Sequence, residues 1–398
     1  MNLKGQPSTV DGVMLCCKAC ALIIVLSVSA VCLAQSKTTD TTKSDPIAYL
    51  NRALDEMQAR ALRRGTLDWS RVRGEALARA TNAQSTVDTY DAIRFALMAL
   101  GDHHSSLHLT PALENLELRR NLPNARVRDS ETAQPILGPF VGRYGPEGRL
   151  ETSAGKTFAL VVVTKCFPED DHQFVAYETR LQKIVASLDQ SHPAGWVVDL
   201  RGNVGGNMWP MLAGIGPVLG EGDDLGEFFT TEGHSVWRYR DGVAAEVENG
   251  KKSPYPPIEG TPYKLAGTPN VAVLIDRGTG SSGEAIAIAF RGRPHTRFFG
   301  EHTEGVSTVN ETFALSDGAS MWLTIGVAAD RSGRQYLAGL APDDPVVAGD
   351  KIQSDAQDPV LQEALKWLSR ASQQDGQDQG TEDPQVLTCY GDGFSVLR

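Results

Sequence analysis

Positive charge is in short supply in this sequence: 38 Lys and Arg face 49 Asp and Glu, for a formal net charge of −11. That balance argues against nucleic acid or an anionic membrane surface as partner, since both reward basic patches. Cysteine is scarce too. Cys16, Cys17, Cys20 and Cys32 crowd the first residues, and only Cys166 and Cys389 follow, too few to build a disulfide scaffold; whether those two pair is left open. No HExxH occurs, no CxxC lies beyond residue 32, and the histidines do not fall at zinc-ligand spacing, so neither a metal nor another cofactor is expected. Long apolar runs are missing as well. Ala21 to Val31 falls short of the ~18 residues that a membrane span needs. With Lys18 before it and Cys32-Leu33-Ala34 after it, this run reads as a secretory leader cleaved after Ala34. A lipid anchor at Cys32 is not expected, because Val31 is a poor fit to the small residue required there. An exported protein, periplasmic or secreted, is the expectation.

The 398 residues are 41% hydrophobic, enough to bury an ordinary globular core. From Asp45 onward, Ile47, Leu50, Leu54, Met57 and Ala61 recur at helical spacing. Ser85 and Asp88 offer a capping box ahead of Val87, Tyr90, Ile93, Leu97 and Leu100, and Gly101 stops that helix. Residues 35–110 thus form a helical region, and 111–150 read as a linker or irregular segment. From 151 to 350 the grammar changes. Buried strands at Phe158–Val163, Trp196–Leu200 and Val271–Ile275 alternate with helical stretches, and Arg240-Asp241-Gly242-Val243 and Asp317-Gly318 signal hairpins. That alternation predicts an α/β fold. Residues 351–398 hold a late helix and a polar tail.

Three short stretches could carry chemistry. Ser281 and Ser282 sit between glycines at a strand-to-helix joint, where a serine can be a nucleophile and a helix N-terminus favours negative charge. Gly205 and Gly206 follow another buried strand and let backbone donors approach a ligand. His104 stands past a helix end beside Asp102 and Ser105, and neutral imidazole suits general-base work. Each has a plainer reading as a turn, a loop or a surface group.

Together they resemble one family. WVVDLRGNVGGN (196–207) and VAVLIDRGTGSSGEAIAIAFRGRPHTRFFGEHTEG (271–305) are similar to the two signature blocks of the C-terminal processing, or tail-specific, serine peptidases. LGDHHSSLHL (100–109) resembles the D-x-H-S segment of that family's tricorn-core and retinoid-binding-protein-like branch, and GLAPDDPV (339–346) its closing block. The resemblance implies a crotonase-like ββα-spiral core over 151–350 beneath an N-terminal helical cap. It also implies Ser281 as nucleophile, His104 as general base with Ser105 helping to orient it, and Gly205, Gly206 and Ser282 around the oxyanion. The substrate would be a peptide or an unfolded chain end. Val306 occupies the position of the lysine that many members use as base, which leaves His302 as a rival to His104. Tyr336 stands where an acidic relay member would be, with Asp343 and Glu284 as substitutes. Too few residues separate His104 from the first core strand for a PDZ domain. Two alternatives stay open: a non-catalytic carrier of hydrophobic ligands on the same scaffold, and a serine esterase, although Thr279 breaks the Gly-x-Ser-x-Gly pattern.

Overall fold

Asp45 accepts the N–H of Ile47 at 2.9 Å and Pro46 fills the first turn, so helix α1 (Pro46–Arg60) starts where its capping chemistry dictates. The computed structural model describes residues 45–121, 140, 143–348 and 358–378; the leader with Cys32 and the tail with Cys389 lie outside them. Helices α2 (Trp69–Arg79) and α3 (Tyr90–Leu100) pack with α1. A 3₁₀ turn over Thr86–Thr89 leads into α3 through the Ser85/Asp88 capping box, and Gly101 closes α3 at φ 66°. Strand β1 (Ser106–His108) and helix α4 (Pro111–Asn121) follow. Helix α4 and strand β2 (Glu147–Ser153) correct the expectation of irregular chain over 111–150. α4 buries only Leu113 and so carries no apolar stripe, and β2 is a half-exposed edge strand.

The rest of the chain alternates as expected. Strand β3 (Lys156–Val162), helix α5 (Asp171–Asp189), β4 (Trp196–Asp199) and α6 (Met208–Leu219) lead to four antiparallel strands. These are β5 (Glu227–Thr230), β6 (His234–Arg240), β7 (Val243–Glu248) and β8 (Lys251–Pro254). Asp241 and Gly242, both at positive φ, make the tight turn between β6 and β7. Then come β9 (Val271–Ile275), α7 (Ser282–Phe290), β10 (Thr296–Gly300), β11 (Thr308–Ala314), β12 (Ser320–Ala329), β13 (Asp344–Pro345) and α8 (Pro359–Asp378).

Two sheets result. One runs β13-β10-β9-β4-β3-β2 and is parallel except for the β2–β3 pair. The other is antiparallel in the order β1-β12-β5-β6-β7-β8, with β11 on β12. The parallel sheet is covered on both faces, which is why β4 and β9 read as continuous apolar runs. Val161, Trp196, Val198, Val273 and Ile275 join the cluster containing Leu181, Leu212 and Ile286 of α5, α6 and α7. Their alternates Leu160, Val162, Val197, Ala272 and Leu274 pack with Val360, Leu361, Leu365 and Leu368 of α8. A third cluster joins α1–α3 to Met321, Leu323 and Ile325 of β12. Among the described residues no helix is long and apolar enough to cross a membrane.

Candidate active site

Strands β4 and β9 are neighbours in the parallel sheet and end at the same edge, each releasing its chain into a glycine-containing loop. The crevice beyond the carboxyl ends of parallel strands is the usual ligand position in open α/β sheets. Here the two loops are bonded to each other. Gly280 N–H donates to the Asn203 carbonyl at 2.9 Å, and Gly202 N–H donates to Asp276 Oδ1 at 2.9 Å. The Thr279 hydroxyl donates to the Leu200 carbonyl at 3.0 Å, and the Ser282 hydroxyl to the Gly206 carbonyl at 2.5 Å. Asn203 ties the first loop to the sheet, since its Nδ2 donates to the Val163 carbonyl at 2.9 Å while its Oδ1 accepts Gly205 N–H at 3.1 Å. Asn203, Asp276 and Thr279 are all buried. Sequence reasoning missed them, because polar residues among glycines look like ordinary turn formers.

Ser281 caps α7 at φ 49° and ψ −118°, a conformation that costs a residue with a side chain roughly 1–3 kcal/mol. Its neighbours hold it there. Ser281 N–H donates to Glu284 Oε2 at 3.2 Å, and its carbonyl accepts Ala285 N–H at 3.0 Å. Two glycines permit the close packing: a Cβ on Gly205 would stand 2.8 Å from Ser281 Cβ, and one on Gly283 would stand 2.2 Å from the Asn203 carbonyl oxygen. Among the described residues, the N–H groups of Gly206 and Ser282 have no hydrogen-bond acceptor. Ser282 directly follows the half-buried Ser281, and Gly206 is tied to Ser282 through its carbonyl; free backbone donors at a helix N-terminus are the kind of group that can stabilise an oxyanion. Gly205 differs from expectation here. Its N–H is spent on Asn203, so its part is close packing against Ser281 rather than donation.

Glu284 is fully buried beneath this turn. Its carboxylate accepts Ser281 N–H, Gly305 N–H at 3.0 Å, Val306 N–H at 2.9 Å and the Thr303 hydroxyl. Burial pushes its pKa up, and the Thr303, Gly305 and Val306 donors work against that rise. Glu284 thereby clamps α7 to residues 303–306, and Val306 takes part through its backbone alone.

Two residues further on, Thr308 Oγ1 lies 2.6 Å from His104 Nδ1. The backbone of His104 is fixed as well: its N–H donates to Asp102 Oδ1 at 3.0 Å, and its carbonyl accepts Asn310 Nδ2 at 3.1 Å. With Nδ1 engaged by Thr308, Nε2 has no partner among the described residues. A hydrogen on Nδ1 leaves Nε2 as a free lone pair, the form a general base requires. Burial lowers the His104 pKa from its ordinary value, and Asp102 opposes part of that shift. His103 is exposed at φ 58°.

Other expected site residues lie elsewhere. The Ser105 hydroxyl donates to Asp102 Oδ2 at 2.8 Å and accepts Thr324 N–H at 3.0 Å, so Thr308, not Ser105, holds the imidazole. Asp343 pairs with Arg291 at 2.8 Å and accepts Phe298 N–H at 2.8 Å, which makes it a tie between elements rather than a relay member. Tyr336 donates its hydroxyl to Asp330 at 2.7 Å. His302 Nδ1 sits 2.9 Å from the neighbouring Thr303 carbonyl.

A serine on a strained strand-to-helix turn near free backbone donors is an arrangement suited to serine-hydrolase chemistry. The sequence pattern of peptidase family S41 matches residues 167–346, so this segment is similar to that family of serine-type peptidases. The nisin-resistance protein of Lactococcus lactis subsp. lactis is 26% identical over 296 residues, 73% of this chain and 80% of that protein. Among solved structures, a lipoprotein from Streptococcus agalactiae superposes with a TM-score of 0.59 at 23% identity, covering 82% of this chain and 97% of that one. The photosystem II D1 C-terminal processing protease superposes with a TM-score of 0.52 at 16% identity, over 80% of this chain and all of that one. The fold is therefore the mixed α/β, crotonase-like core with N-terminal helices that the sequence resemblance implied.

Proposed function

We propose that this protein is an exported serine peptidase that cleaves peptides or unfolded chain ends through Ser281. His104 Nε2 takes the Ser281 proton as the hydroxyl attacks the scissile carbonyl, and Thr308 holds the ring's orientation by accepting Nδ1–H in the tautomer that allows this. The N–H groups of Gly206 and Ser282 receive the negative charge that develops on the carbonyl oxygen. His104 then returns the proton to the leaving amine, and water repeats the sequence on the acyl-enzyme. The observation that carries the reading is the left-handed conformation of Ser281 at the head of α7, packed on Gly205, in a segment similar to family S41. Backbone strain of this kind persists where the surrounding structure imposes it, and it concentrates at functional positions.

Labelling with a fluorophosphonate probe tests it. Ser281→Ala is expected to abolish both labelling and peptide hydrolysis. Ser282→Ala, whose hydroxyl is occupied by the Gly206 carbonyl, is expected to keep much of both. The opposite pattern would overturn the assignment. Nisin belongs among the substrates assayed, because the name of the Lactococcus relative points to it.

A further inference from the structure

Asp358 stands at the start of α8, beyond the segment shared with family S41. Its Oδ1 accepts the N–H groups of Val360 at 3.1 Å and Leu361 at 3.2 Å, which caps the helix. The same carboxylate reaches across 157 residues of sequence to Arg201: Oδ1 accepts Nη1 at 3.0 Å, and Oδ2 lies 2.8 Å from Nη2. On its other side the Arg201 guanidinium donates from Nε and Nη2 to Asp199, each at 2.9 Å. Arg143 adds a 2.7 Å bond to Asp199, and both arginines lie over the Phe140 ring at 4.0 and 4.3 Å. The Arg201 and Asp358 side chains are 1% and 3% exposed.

Charges buried this deeply stabilise little in total, because desolvation offsets most of their attraction. What a planar, forked group between two carboxylates supplies is direction. Arg201 is the residue immediately before Gly202, whose N–H is bonded to Asp276 at the base of the Ser281 loop. Its placement is therefore one constraint on where residues 202–206 lie, alongside the Asn203 bond to the Val163 carbonyl.

We propose that Asp358 is a positioning residue: α8 latches Arg201 and thereby sets the Gly202–Gly206 segment against Ser281. The inference rests on the reading of Ser281 and the Gly206 N–H given above. Displacing an oxyanion donor by about 1 Å costs roughly 10- to 100-fold in turnover. The test uses the full chain. Asp358→Asn keeps an acceptor for the α8 cap but removes the charge. It is expected to lower kcat and the rate of fluorophosphonate labelling by the same roughly 10- to 100-fold, with KM unchanged, well below its Tm. Asp358→Glu is expected to recover part of the loss. Ser372→Ala removes a 2.8 Å bond from Lys156 that fastens α8 far from Arg201; it is expected to lower Tm and leave kcat alone. Should Asp358→Asn fail to fold, Arg201→Lys decides, since it keeps the charge and loses the fork. Parental kcat and labelling in the decisive variant would overturn the latch, as would an equal kcat loss in Ser372→Ala. Labelling that persists in Ser281→Ala would instead remove the underlying reading, and the latch with it.

Discussion

Removing the imidazole of His104 gives the most direct test of the proposed base. With Nδ1 held by Thr308, Nε2 is the only nitrogen left to accept the Ser281 proton. His104→Ala is expected to lower kcat on the order of 10⁴-fold or more, about 5 kcal/mol in barrier height, as losses within serine triads do. The pH profile adds a signature that a folding defect cannot imitate. A general base works only unprotonated, so activity is present above its pKa and lost as pH falls through it. Burial lowers the His104 pKa, so the acid limb of kcat/KM is expected below 6.5, the ordinary histidine value. Asp102 counteracts that shift by stabilising the imidazolium. Asp102→Asn is nearly isosteric and keeps an oxygen for the His104 and Ser105 N–H groups, so it is expected to move the limb further toward acid. The assay is kcat/KM against pH on one chromogenic peptide for the parent and both variants. An acid limb that ignores Asp102→Asn, together with near-parental turnover in His104→Ala, would refute the assignment. Collapse in His302→Ala alongside it would move the base to that residue.

Gly205→Ala is expected to cost more than 100-fold in kcat and to lower Tm. The new Cβ would meet Ser281 Cβ at 2.8 Å, and the backbone at φ 110° disfavours any side chain; thermal unfolding and probe labelling read the two effects separately. Export predicts a mature N-terminus at Gln35, which N-terminal sequencing or intact mass measures. A lipidated Cys32 at the N-terminus would instead place the enzyme on a membrane anchor.

Much of the framework was legible because the physics that builds it is local. The unbroken apolar runs of β4 and β9 announce a sheet covered on both faces, and Asp45, Ser85 and Gly101 mark helix ends by their own hydrogen-bonding chemistry. Ser281 was legible as a serine at a joint; its backbone strain was not, because φ follows from packing on Gly205 across 76 residues of sequence. α4 escaped notice for want of an apolar stripe. The attribution of imidazole orientation to Ser105 failed for a related reason. Adjacency in sequence puts Ser105 beside His104, yet the turn at Asp102 draws its hydroxyl onto the carboxylate, and the partner of the ring arrives from β11, 204 residues away. A threonine at the start of a strand carries no signal of that role.

The origin of the two proposed reacting groups explains why so many buried polar residues gather here. Ser281 rides on α7, whose apolar face belongs to the cluster over the parallel sheet, whereas His104 hangs from α3 and β1, whose packing belongs to the cluster around β12. Separate cores do not by themselves hold a nucleophile and a base in register, and an error of an ångström is costly in this chemistry. Residues 303–308 supply the connection. Thr303, Gly305 and Val306 bond to Glu284 on α7, and Thr308, first residue of β11, bonds to His104. The β11–β12 turn is in turn pinned to the helical cap by Asp317, which accepts the hydroxyls of Tyr49 at 2.9 Å and Tyr90 at 2.7 Å. Residues 303–308 act as a strut: Val306 gives its N–H to Glu284 and its carbonyl to the Thr308 N–H at 2.7 Å, both from the backbone. A side chain that can ionise is needed at 306 only when the base comes from there, and the proposed base, His104, is carried by the helical cap instead.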